Sequence, residues 1–204
     1  MAGRRKDSRT RKGELTDAAL RIIATRGVTA LTTRSLADEV GLTTGAIFKH
    51  FESLDALLVA VVERVEVVLD ATFPPGDLPP RERIAGFVEA RSAAVGAQLG
   101  IMRLVLSEQF SLSLPPEASR RLAACVVKTR AFLAGCVADG QRDGTIRADV
   151  APAALTTIVM GTTQALALAG HAPAAAAVVR AGLVALLEPP PHHPPKTAHP
   201  SRKR

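Results

Sequence analysis

Thr43, Thr44, Gly45, Phe48, Lys49 and His50 fall within one short stretch, GLTTGAIFKHF at 41–51. Hydroxyls, an ammonium, an imidazole and a glycine without a Cβ are groups that meet phosphate oxygens and base edges. The threonines and Gly45 stand where a short helix would begin, and free backbone N–H groups beside the positive dipole end favour phosphate there. Phe48 offers apolar surface to a sugar or a thymine methyl, while Lys49 and His50 add donors for phosphate or a purine edge. Thr32, Thr33 and Arg34, just upstream, form a second candidate group. The bland alternative is a helical hairpin with a solvated Lys-His pair.

Contacts of this kind need two helices that cross steeply. The earlier helix then needs a small residue at the crossing, the turn needs a glycine for a left-handed conformation, and the later helix needs a branched apolar residue pointing inward. Ala37, Gly41 and Ile47 supply these in order. Apolar spacing predicts a helix over 13–26, with Leu15, Ala19, Ile22 and Ile23 on one face, Glu14 and Asp17 in its first turn, and Gly27 ending it. A second helix runs over about 33–40 with Thr32 as N-cap, and a third over TGAIFKHF with Thr43 as cap. A fourth follows Ser53 to about Ala71.

Beyond the breaker FPPGDLPP (73–80), longer helices are expected over 81–99, 100–110, from Pro115–Pro116 onward, from a cap at Asp149 to near Gly170, and over 173–187. DGQRDGTIRADV, beginning at Asp139, reads as a loop between the third and fourth of these. No run alternates as a strand. The fold class is therefore all-α: an N-terminal three-helix helix-turn-helix DNA-binding domain plus a larger C-terminal helical bundle. The boundaries are a flexible basic arm at 1–12, the DNA-binding domain at 13–72, the bundle at 73–188 and a disordered, basic Pro/His-rich tail at 189–204.

Charge agrees with this division. The chain carries +7 overall, but residues 1–12 hold +5 and residues 189–204 hold +4, leaving −2 for the body. Arg4, Arg5, Lys6, Arg9, Arg11 and Lys12 thus form a basic arm beside the DNA-binding unit, a common nucleic-acid feature.

The segment RKGELTDAALRIIATRGVTALTTRSLADEVGLTTGAIFKHFESLDALLVAVVE resembles the DNA-binding domain of the TetR family of bacterial transcriptional regulators. TTRSLADEVGLTTGAIFKHFES carries the specific part of the likeness. The resemblance implies a homodimer, a palindromic operator on double-stranded DNA, and a C-terminal bundle that dimerises and holds a small-molecule effector of unidentified structure. It also implies a bacterial cytoplasmic protein. Two positions depart from the family pattern: Phe48 stands where Tyr is usual, and Leu54 where Lys is frequent. Each departure removes a backbone contact that the basic arm is placed to replace.

In the bundle, Phe87, Arg91, Met102, Leu106, Phe110, Phe132 and Met160 are the side chains suited to line such a cavity. Each also has an ordinary core reading. Arg91 could meet an anionic ligand or an internal acid such as Glu108, or lie outward with its stem covering apolar surface. A mostly apolar lining favours a lipophilic ligand. Residues 150–179 contain no Asp, Glu, Lys or Arg. Their threonines, glutamine and alanines argue against a membrane span and for a symmetric interface, with Gly161, Ala165, Ala169, Val179, Leu183 and Leu186 as its candidates.

Rival classes find less support. There is no nucleophile motif and no phosphate loop, so no catalytic residues and no cofactor are expected. No metal ligands are assigned; a metal sensor built on His192, His193 and His199 of the tail is the weaker alternative, behind an effector-independent DNA-binding regulator. Cys125 and Cys136 stand eleven residues apart, about 16 Å along one helix, too far to bridge. No apolar leader opens the chain, and with two reduced thiols this fits the cytoplasm.

Overall fold

The computed structural model describes residues 8–97, 101, 112–168 and 173–191. Among these there are eight α-helices and one 3₁₀ turn: α1 Ser8–Arg26, the turn Val28–Ala30, α2 Thr33–Val40, α3 Thr44–Phe48, α4 Leu54–Asp70, α5 Pro80–Gly96, α6 Pro116–Arg142, α7 Pro152–Leu168 and α8 Pro173–Leu187. The chain is all-helical, as its patterning predicts. The helix expected over 100–110 lies outside the described residues except for Ile101, as does the tail beyond 191.

Helices α1 to α3 form a small unit closed by the first part of α4. Leu15, Ala19, Ile22 and Ile23 are all buried, as their spacing requires. The helix starts earlier than expected, however, so Ser8–Lys12 is helical rather than part of a flexible arm. Glu14 and Asp17 therefore sit inside α1, where Glu14 pairs with Arg11 at 2.8 Å and Asp17 with Arg64 of α4 at 3.2 Å. Thr32 caps α2 in a reciprocal pair with Ser35, and Gly41 ends it at φ 67°, the left-handed turn that favours glycine. Arg21 and Arg26 of α1 both reach Glu39 of α2, at 3.4 and 3.2 Å.

Thr43 caps α3 by accepting from the amide of Ala46, and Ser53 caps α4 by accepting from that of Ala56. The α-helix of α3 ends at Phe48, short of the predicted Phe51. Lys49 and His50 form a turn instead, because the chain must bury Phe51 and then reach the extended conformation of Ser53 that caps α4.

The larger half packs α5 between α7 and α6, with α8 against α5 and α7 and α4 against α6. Three of the six phenylalanines, Phe73, Phe87 and Phe132, meet there with ring centroids 5.0 to 5.7 Å apart. Two expectations fail in the α6–α7 connection. Helix α6 continues through Arg142, so Asp139 to Arg142 are helical; Asp139 is held by Arg83 of α5 at 2.8 Å. Asp149 does not cap α7, because both its oxygens accept from Arg147, at 2.8 and 2.7 Å. The turn closes through the Ile146 amide on the carbonyl of Gly140 and the Arg147 amide on that of Leu187.

One buried cluster runs without interruption from Leu15 and Ile23 through Leu57, Val61 and Leu69 of α4 to Val95, Leu122, Cys125 and Ala167. Helix α4 is thus shared by both halves. No described helix is long and apolar enough to cross a membrane.

Candidate nucleic-acid interface and internal cavity

The recognition stretch separates into an inward and an outward set. Ile47 is 3% exposed and Phe51 is buried, so both plug the small unit. Thr43, Thr44, Gly45 and Lys49 are exposed, and the Phe48 ring is 51% exposed. The Thr43 oxygen is committed to its cap, which leaves its proton to donate. His50 is only half-exposed, and its Nδ1 is buried without a hydrogen-bond partner among the described residues.

Thr32 and Arg34 are exposed and Thr33 is half-buried, at the start of α2, which packs against α3. Arg34 and Lys49 have no carboxylate partner among the described residues. Within the expected arm, Arg9 and Lys12 are exposed on the first turns of α1, and Lys12 lies 5.5 Å from the Phe51 ring centroid. Arg11 is engaged by Glu14. Arg4, Arg5 and Lys6 lie outside the described residues. The geometry places backbone amides and hydroxyls on the exposed face of α3, with Lys49 in the turn that follows and Arg34 on α2, ahead of α4. Such a surface can offer donors to phosphate oxygens and base edges.

The cavity lies where α4, α5, α6 and α7 meet and has a volume of ≈ 70 Å³. Of the residues expected to line it, Phe87, Arg91 and Met160 do. Phe132 does not line it; its ring packs on Phe73 and Phe87 instead. Met102, Leu106 and Phe110 lie outside the described residues, as does Glu108. Sequence reasoning missed Leu69 from α4, Val95, Ile101, Cys125, Val126 and Thr129, and Thr163, Gln164 and Ala167 from α7.

Arg91 is not an outward arginine: it is 7% exposed. Its Nε donates to Thr72 Oγ1 at 2.6 Å, Nη1 to Thr129 Oγ1 at 3.3 Å and Nη2 to the Leu69 carbonyl at 2.9 Å. The guanidinium lies 4.8 and 5.2 Å from the centroids of Phe87 and Phe73. Burial pulls its pKa down to about 10, against smaller opposing pulls from Cys125 and Asp70. It is therefore still a cation at neutral pH. Burial also pushes the thiols of Cys125 and Cys136 up, which keeps both protonated and unreactive.

Helices α7 and α8 expose an uncharged strip. Ile158, Gly161, Ala165 and Leu168 recur at helical spacing on α7, with Leu168 58% exposed. Val178, Val179, Gly182 and Leu186 do so on α8, with Val178 73% exposed. Gly161, Ala165, Val179 and Leu186 therefore stand where an interface would need them. Leu183 does not: it is 4% exposed and belongs to the protomer's own core with Ile84 and Val88, because it points from α8 onto α5. Ala169 lies outside the described residues. Among the described residues no cluster of His, Cys, Asp and Glu could hold a metal ion.

A helix-turn-helix unit followed by a helical bundle is the plan of many DNA-binding regulators. Residues 15–61 match the model of the bacterial regulatory proteins of the tetR family. The HTH-type transcriptional repressor KstR2 of Rhodococcus jostii (strain RHA1) is 27% identical over 154 residues, 69% of this chain and 70% of that protein. KstR2 of Mycobacterium tuberculosis (strain H37Rv) is 32% identical over 94 residues, 42% of this chain and 44% of that one. The solved structure of ketosteroid transcriptional regulator KstR2 of Mycobacterium tuberculosis superposes with a TM-score of 0.71 at 21% identity, covering 89% of this chain and 97% of that one. AibR in complex with isovaleryl coenzyme A and operator DNA gives 0.74 at 19% identity, covering 88% and 99%. Residues 15–61 thus carry the DNA-binding region of the tetR family of bacterial regulatory proteins, and the chain as a whole shares the helical fold of such regulators.

Proposed function

We propose that the chain is a homodimeric, cytoplasmic repressor that binds a palindromic operator through α3 and leaves it when a small, mainly apolar effector enters the cavity. The observation that carries this reading is the double duty of α4. Its first part closes the core of the DNA-binding unit, while Leu69 at its far end is a wall of the cavity. A ligand that displaces this wall must move or strain the helix that packs on α1 and closes the core of the DNA-binding unit, since packed cores do not deform continuously. The similarity to the KstR2 repressors and to AibR, solved with isovaleryl coenzyme A and operator DNA, supports a repressor with an acyl-bearing effector.

The dimer reading rests on the exposed uncharged strip of α7 and α8, a surface that monomers rarely leave open. Two copies joined there would present two α3 helices to one duplex, and two-fold symmetry then asks for a palindromic site. An effector-independent regulator draws on one observation, the small cavity, since ligand pockets usually enclose roughly 300–1,000 Å³.

Selection from a random duplex pool, followed by footprinting of the enriched sites, tests the DNA reading. A symmetric footprint with two half-sites about one helical turn apart is expected. Enrichment of no sequence above the pool overturns it. Loss of the footprint on adding apolar acyl compounds supports the effector reading, and persistence across such a panel favours the effector-independent one.

A further inference from the structure

We propose that the cavity accepts an apolar carboxylic acid in its ionised form, with the carboxylate seated on Arg91, and that Arg91 passes the event to α4. This deepens the effector reading above and rests on it. Arg91 is a buried cation on the cavity wall with no carboxylate at ion-pair distance among the described residues. A buried charge without a counter-charge is expensive to keep. Among the described residues it is held only by neutral oxygens and the faces of two rings. A guanidinium carries five N–H donors. Three are committed to Thr72, Thr129 and Leu69, so two remain among the described contacts. A carboxylate meets both needs at once, supplying the missing charge and accepting the remaining donors. Val95, Ile101 and Met160 give the rest of the molecule a mainly apolar surface, beside Thr163 and Gln164.

The same guanidinium holds the end of α4. Its Nη2 donates to the Leu69 carbonyl, in the helix's last turn, and its Nε donates to Thr72, whose hydroxyl donates to that same carbonyl at 2.6 Å. That carbonyl also accepts from the amides of Ala71 and Thr72, so the guanidinium adds a charged donor to an end already closed by the backbone. A ligand that draws the guanidinium toward the cavity removes a donor from α4 just where the helix borders the ligand. By linkage, DNA that fixes α4 weakens the acid by the same factor that the acid weakens DNA.

The ≈ 70 Å³ volume sets the scale of the ligand. A cavity of about 150 Å³ is filled by benzene, so a short chain fits best and longer ones must widen the walls.

The test uses the full-length chain, titrated calorimetrically with isovalerate, octanoate and their neutral amides, and with isovaleryl coenzyme A, alone and on a selected operator duplex. The acids should bind about tenfold or more tighter than the amides, the scale of a charged hydrogen bond. Arg91→Gln should abolish that preference and make DNA affinity indifferent to the acids. Arg91→Lys keeps the charge and guards against misfolding; it should retain part of the preference. Amides binding as well as acids, or a preference that survives Arg91→Gln, overturns the carboxylate assignment and leaves the effector reading standing. DNA release by isovaleryl coenzyme A but by neither acid also overturns it, making a thioester the ligand. Acid binding with unchanged DNA affinity overturns the transmission role. Binding of no probe overturns this inference, while symmetric operator binding would still uphold the DNA reading.

Discussion

Ile47→Ala separates packing from reading in the recognition stretch. The side chain is 3% exposed and belongs to the cluster that includes Leu15, Leu36 and Leu57. Truncation strips its ethyl and methyl branches, which at ~0.8 kcal/mol per buried methylene-sized group removes about 2.4 kcal/mol. Helix α3 is a single short turn between two capped helices, so little collapse can follow. A residual void of about 30–60 Å³ then adds about 1 kcal/mol. For a chain of this size the total of about 3–4 kcal/mol lowers Tm by roughly 6–16 °C. Thr44→Ala and Lys49→Ala, both at exposed positions, should stay within about 0.5 kcal/mol of the parent in stability. They should instead weaken operator binding by about 1–3 kcal/mol, or roughly 5- to 150-fold, if they meet base edges. Thermal melts by far-UV circular dichroism and competition binding on a selected duplex, well below the transition, give the two readouts. An unchanged melt for Ile47→Ala refutes its role as a plug. Unchanged affinity and selectivity for both surface variants refutes α3 as the reading helix.

Ala165→Arg places a charge on the exposed uncharged strip of α7 and should yield monomers in sedimentation; unaltered sedimentation removes α7 from the interface. Gly140→Ala would set a Cβ 2.5 Å from both Cγ1 and Cδ1 of the fully buried Ile146 and 3.0 Å from its Cβ. The turn cannot give without losing the Ile146 amide bond, so urea denaturation should show a loss of about 1–3 kcal/mol, and parental stability would mean the turn yields freely. Deleting residues 1–7 removes Arg4, Arg5 and Lys6 but leaves α1 whole; the slope of log K against log salt should flatten by about three units if each meets a phosphate, and by none if the segment is solvated.

Local signals in the sequence were legible wherever one residue type has one physical use. Thr32, Thr43 and Ser53 were readable as caps because a short hydroxyl before an apolar run has few other roles, and Gly41 because the turn needs a left-handed residue. Ile47 and Arg91 fell on apolar faces and are buried. The failures share a cause in pairings distant along the chain or competing nearby. Asp149 reads as a cap until Arg147 takes both its oxygens, and Leu183 reads as interface until α5 is known to lie beneath it. The cavity was least legible. Apolar spacing names the inward side of each helix, but a void is set by how four helices fail to meet; Leu69 and Thr163 are ordinary buried positions on their own helices, and Thr129 is a half-buried one.

That the void borders α4 at all follows from how the two halves are joined. A domain connected by a polar linker could bind a ligand without informing its neighbour. Here Leu57, Val61, Val65 and Leu69 form one buried stripe down α4, and the cluster they belong to includes both Ile23 of the DNA-binding unit and Ala167 on the cavity wall. Arg121 of α6 anchors the outer side of α4 through Glu66 at 2.5 Å and Glu63 at 3.5 Å, and Lys128 does so through Asp70 at 2.7 Å. These exposed or half-exposed pairs are each worth little in water. Together they add to the packing of the outer side of α4 against α6. On the function proposed above, displacement of α4 at its cavity end would change how α3 meets DNA while the packing inside the small unit stays intact, so the operator would be released without unfolding of that unit.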